Sequence, residues 1–100
     1  IRSQLEGAII QGISVAMYSN ITFKDGVVQQ KNFDGYELAR MDIAPREINI
    51  HLVESTGYDA PLGGVGEPGV PPVAPAIANA IFAATGKRIR SLPIGGTVAS

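Results

Sequence analysis
The chain has 100 residues, of which 17% are charged, a net charge of -1 at pH 7 and no cysteine. That length suits one small domain with a modest core, and the charge offers no basic field to follow a phosphate backbone, which argues against nucleic acid as a partner. The missing cysteine excludes disulfides, thiolate-held zinc or iron–sulfur centres and a thiol nucleophile within these residues, while leaving the compartment open between cytoplasm and a periplasmic or membrane-associated location.

Ser3-Gln4-Leu5-Glu6 reads as a capping box, with Ser3 as N-cap and Glu6 reaching back to it. The helix it opens runs to about Tyr18. Leu5, Ile9 and Ile13 form an apolar stripe at four-residue spacing, and Ala8, Gly12 and Ala16 form a second line of small residues. Glycine inside a helix costs about 1 kcal/mol against alanine, so Gly7 and Gly12 call for an offset, most simply the close approach of another backbone along that smooth ridge. Ile21 to Gln30 reads as a hairpin closed by Asp25-Gly26, a favoured pair for a type I′ turn. Asn32 to Pro45 has weak periodicity and is read as a surface crossing. Glu47 to Val53 alternates apolar and polar residues and is expected as a strand. His51, the only histidine, has no second ligand residue nearby and is read as a surface or interface group; no metal site is assigned to the chain.

Ser55 to Gly69 is a loop rich in glycine and proline. A second helix is expected to start near Pro71 or Pro72 and to end at Gly86, with Lys87, Arg88 and Arg90 near its negative end. Arg88 to Ile94 is expected as a last short strand. The elements give an α+β class: two main helices packed with a small, mainly antiparallel sheet. Between Val73 and Thr85 only Asn79 and Thr85 carry polar side chains. A helix apolar all round is a helix buried all round. A domain of this size cannot surround one, so residues 1–100 read as a single piece of a larger protein, or as a member of an oligomer; Ile1 in place of methionine agrees. An isolated piece with that helix uncovered is expected to self-associate.

Two features carry candidate chemistry. Gly64-Val65-Gly66-Glu67-Pro68-Gly69 matches the GxGxxG dinucleotide pattern, but no acid follows about 20 residues on to hold a ribose, so the match is set aside. Glu67 stands alone in a stretch of glycine, valine and proline, and no acidic residue follows it. It is either an acid stabilised by the dipole of the second helix or a working group. The flanking glycines favour the second reading, because they permit backbone angles and close approaches that a loop tip aimed at a bulky cofactor requires. Gln4 has no structural explanation of its own beyond ordinary exposure.

Three stretches together resemble the molybdenum hydroxylases, the xanthine dehydrogenase and aldehyde oxidase family. Gln4-Leu-Glu-Gly-Ala8 is similar to that family's Q-x-E-G-A/G segment, and Gly64-Val-Gly-Glu67-Pro is similar to its V-G-E-P loop. The run from Gly69 to Arg90 resembles most the beta subunit of isoquinoline 1-oxidoreductase and its relatives. The resemblance implies a C-terminal fragment of the large subunit, part of a larger molybdopterin-binding domain, inactive by itself. It implies molybdenum held by molybdopterin cytosine dinucleotide, with [2Fe-2S] clusters in a separate small subunit. It also implies oxidation of an N-heteroaromatic or aldehyde carbon with water as oxygen source, Glu67 as general base and Gln4 as a hydrogen-bonding contact to the cofactor. Ser3 departs from the glycine that many relatives have before that glutamine. Two other readings remain: a non-catalytic subunit-interface or degenerate module of the same fold, and a small domain binding an anion at the second helix's N-terminus.

Overall fold
The computed structural model describes residues 1–54, 59, 61 and 63–95. In chain order they form helix α1 (Arg2–Met17), strands β1 (Phe23–Lys24) and β2 (Val27–Val28), and helix α2 (Val73–Thr85). The class is the expected α+β, with a single two-stranded antiparallel sheet among the described residues.

Helix α1 begins earlier than its capping box would place it. Its N-cap is Ile1 and no side chain caps it. The Leu5 N–H donates to the Ile1 carbonyl at 3.0 Å, so Ser3 already lies inside the first turn. A serine at that position is past the point where its hydroxyl could serve as the cap. Ala8, Gly12, Ser14 and Ala16 are the buried residues of the helix, which makes the small-residue ridge its packing face. At the far end, the Ala16 carbonyl accepts from the N–H of the fully buried Ile94 at 2.7 Å, satisfying one acceptor that the helix itself cannot.

The hairpin is as read. Phe23 pairs with Val28 and Lys24 with Val27, and Asp25 and Gly26 both take positive φ (52° and 78°), as a type I′ turn demands. The Gln30 side chain extends the pairing: its oxygen accepts from the Thr22 N–H at 2.7 Å and its amide donates to the Thr22 hydroxyl at 2.8 Å. The surface crossing at 32–45 is tied to α1 by Ser14, whose hydroxyl accepts from the Ala39 N–H at 2.9 Å.

The two other expected strands do not form. Over 48–51 the alternation is real, with Ile48 and Ile50 half-buried and Asn49 and His51 exposed. What is missing is a ladder: the Ile50 carbonyl accepts instead from the Arg2 guanidinium at 2.8 Å, and the segment lies over the two helices. Over 88–94 the Ile94 N–H is committed to the end of α1, and the Arg88 guanidinium lies 3.4 Å from the centre of the Phe82 ring. This cation–π contact puts Arg88 on the flank of α2.

Helix α2 ends where expected, on Gly86 in the left-handed conformation (φ 74°). Its only buried residue is Val73. The buried apolar core of the described chain is Ala8, Ala16, Val73 and Ile94, while Phe23, Met41 and Val53 are 69%, 91% and 95% exposed. The accessible surface is 7994 Å², about 2,600 Å² more than the roughly 5,400 Å² expected of a folded monomer of this mass. The radius of gyration is 16.7 Å, against about 13 Å for a self-contained domain of 100 residues. The large apolar side chains left exposed on the hairpin and over residues 41–53 fit a segment enclosed by further protein.

Candidate active site
The loop before α2 runs along the small-residue ridge of α1. A β-carbon added to Gly66 would sit 3.4 Å from the Gln4 side-chain oxygen. One on Gly69 would sit 2.8 Å from the β-carbon of Ala8. One on Gly12 would sit 2.6 Å from the β-carbon of Val73 and 3.0 Å from the Val70 carbonyl oxygen. Residues 4, 8 and 12, one helical turn apart, thus receive successive steps of the chain from 66 to 73. Gln4 and the Glu67 loop, remote in sequence, meet at one end of this seam.

Glu67 itself opens a tight turn. The Val70 N–H donates to the Glu67 carbonyl at 3.0 Å, with Pro68 and Gly69 between them. Proline pre-sets the backbone for that inner position. None of Gly63, Gly64, Gly66 and Gly69 has positive φ, so their backbone angles are open to other residues. Close approach is what remains of the reason for them. For Gly69 the neighbour is Ala8; in front of Gly63 and Gly64 nothing among the described residues lies within 4 Å. An open hollow of about 540 Å³ is lined by Gly64, Gly66, Glu67, Pro68 and Pro71.

Glu67 is not one of the residues that start α2. Helix α2 starts at Val73, its N-cap is Pro72, and its first turn holds no acidic residue. Glu67 is thus neither the N-cap nor a first-turn residue, although it shares a hollow with Pro71, next to the N-cap. The carboxylate is exposed, and among the described residues neither it nor the Gln4 carboxamide has a hydrogen-bond or ion-pair partner. The dinucleotide reading gains no support: among the described residues the only sheet is the hairpin, and none of them places a strand before the glycine loop.

A second concavity, of about 530 Å³, lies between the helices and the 49–51 segment. Leu5, Ile9, Ile13, Ile50 and Ile77 line it, with His51 at its side. The apolar stripe read from α1 therefore faces an open groove, and the small-residue line faces the packed seam. No group of three or more His, Cys, Asp or Glu residues able to hold a metal ion occurs among the described residues. Sequence reading passed over Ser14, the buried polar group that fixes the 32–45 crossing; its signal is only a serine on the packed side of α1.

Comparison with known proteins gives the same family. No family model matches the chain. It is 42% identical over 94 residues to the isoquinoline 1-oxidoreductase subunit beta of Brevundimonas diminuta, covering 94% of this chain and 12% of that protein. It is 38% identical over 93 residues to a membrane-bound aldehyde dehydrogenase (pyrroloquinoline-quinone) of Gluconacetobacter polyoxogenes, covering 93% of this chain and 12% of that protein. With the aldehyde oxidoreductase molybdenum-binding subunit of Escherichia coli K12 the identity is 36% over 97 residues, covering 93% of this chain and 13% of that subunit. The chain thus spans about an eighth of the length of these relatives.

Proposed function
Because the chain belongs to the molybdenum hydroxylase family, as one segment of its large-subunit sequences, we propose that Glu67 is the general base of a hydroxylase. The proposed reaction oxidises an N-heteroaromatic or aldehyde carbon, with water as the oxygen source. The observation that carries this reading is the setting of Glu67: a carboxylate without a partner among the described residues, on a turn seated against α1 beside an open hollow.

The residues present fit a bulky cofactor. Among the described residues nothing covers the backbone at Gly63 and Gly64, and Gln4 offers a carboxamide without a partner beside Gly66. When bound, a molybdenum centre in molybdopterin cytosine dinucleotide supplies the two-electron oxidising power. Glu67 accepts the proton released as the water-derived oxygen becomes a nucleophile; a base placed within hydrogen-bond reach contributes about 10²–10⁴-fold. The Gln4 carboxamide, able both to donate and to accept, hydrogen-bonds the pterin. The turn hydrogen bond from Val70 and the flanking Pro68 and Pro71 hold the base in place before substrate arrives.

The proposed partners are the remainder of the large subunit, which covers the exposed apolar faces, and a small subunit carrying [2Fe-2S] clusters as the electron outlet. Residues 1–100 alone are inactive in this account, and they self-associate through the uncovered faces of α2 and the groove. The Gluconacetobacter relative is named for pyrroloquinoline quinone, so the deciding measurement reads both groups. Molybdenum and pyrroloquinoline quinone are assayed in the purified full-length subunit with its partners. Near-stoichiometric molybdenum is expected. Quinone without molybdenum, or neither, overturns the proposal, and the second result favours a non-catalytic module.

A further inference from the structure
We propose that Ala8 and Gly69 are positioning residues for the Glu67 carboxylate; the inference rests on Glu67 being the base. The β-carbon position of Gly69 lies 2.8 Å from the β-carbon of Ala8, where ordinary contact is 3.4–4 Å. Ala8 is buried, and its β-carbon is fixed to the helix backbone, so it cannot swing away. Gly69 has no positive φ, so the turn itself accepts an alanine and the Ala8 methyl is the obstacle. The turn is closed by the Val70 to Glu67 hydrogen bond, and Val73, at the start of α2, donates back to Val70 at 3.3 Å. A displacement at Gly69 is therefore passed to Glu67, two residues away across a closed ring. Restoring ordinary contact lifts the turn by about 0.6–1.2 Å, and a misplacement near 1 Å costs as much as about a hundredfold in rate.

A methyl swap tests this in the full-length, cofactor-loaded enzyme. Gly69→Ala is expected to lower kcat about 10- to 100-fold at unchanged molybdenum content, with KM changed less than threefold, and to speed hydrogen exchange in the peptide holding the Val70 amide. The double variant Ala8→Gly/Gly69→Ala moves the methyl to the other side of the same contact, and is expected to recover kcat to within about threefold and to restore slow exchange. Unchanged kcat in Gly69→Ala overturns the proposal, as does a loss that the folded double variant fails to recover. Should Gly69→Ala not fold, the double variant decides alone: near-wild-type kcat supports the contact and low kcat overturns it. Glu67→Gln measured beside them separates the two ideas, because near-wild-type turnover there removes the base while the exchange data still report on the contact.

Discussion
Two glycines of α1 should respond to alanine with opposite signs. Gly7 and Gly12 are both helical, and neither has positive φ. Intrinsic propensity favours alanine at each by about 1 kcal/mol. A β-carbon on Gly7 meets nothing within 4 Å, so Gly7→Ala should gain most of that. On Gly12 the new methyl would lie 2.6 Å from both the β- and a γ-carbon of Val73 and 3.0 Å from the Val70 carbonyl oxygen. Two of these atoms are backbone or fixed to it, so α1 and α2 must separate. Overpacking of this kind costs about 1–3 kcal/mol, which cancels the propensity gain and leaves a net loss of about 1 kcal/mol. In the full-length subunit, amide exchange along the α1–α2 seam should therefore be slower in Gly7→Ala than in Gly12→Ala, by an opening free energy of about 2 kcal/mol. If Gly12→Ala is as stabilising as Gly7→Ala, the packed seam between the helices is not as described.

Ser14→Ala removes the acceptor of the Ala39 N–H and should cost about 1–3 kcal/mol, seen as faster amide exchange at Ala39 while the hairpin amides are unaffected. Arg88→Ala should lose about 0.5–1 kcal/mol through its contact with Phe82, and a double-mutant cycle with Phe82→Leu should return a coupling of that size. Gly26→Ala, at φ 78°, should weaken the hairpin by about 1 kcal/mol, with cross-strand nuclear Overhauser contacts between Phe23 and Val28 fading before those within α1.

The elements that were legible in the sequence are those whose causes are local. Asp25-Gly26 carries its turn in two residues, and Pro72 and Gly86 bracket α2 by backbone chemistry alone. The ridge of Ala8, Gly12 and Ala16 was legible because small residues at helical spacing leave a helix little else to pack with. The strand expected at Glu47 to Val53 shows the limit. Alternation reports which side chains face inward, and Ile48 and Ile50 do so, but it carries no information on a hydrogen-bonding neighbour. The capping box failed for a related reason: the motif was present, but the backbone had already turned helical at Arg2. At the site, the isolation of Glu67 was visible in the residues, whereas the seating of its loop at Gly66 against Gln4 was not, since no local pattern records that residues 66 to 73 lie along residues 4 to 12.

The central claim is that Glu67 takes a proton during turnover, and it is tested by Glu67→Gln in the full-length enzyme at matched molybdenum content. Single-turnover reduction of the enzyme by an aldehyde or N-heterocycle substrate isolates the chemical step from product release. A fall of about 10²–10⁴-fold in that rate is what a general base predicts. A rate within a few-fold of the unsubstituted enzyme would contradict the account and leave the carboxylate on this turn without a part in the chemistry.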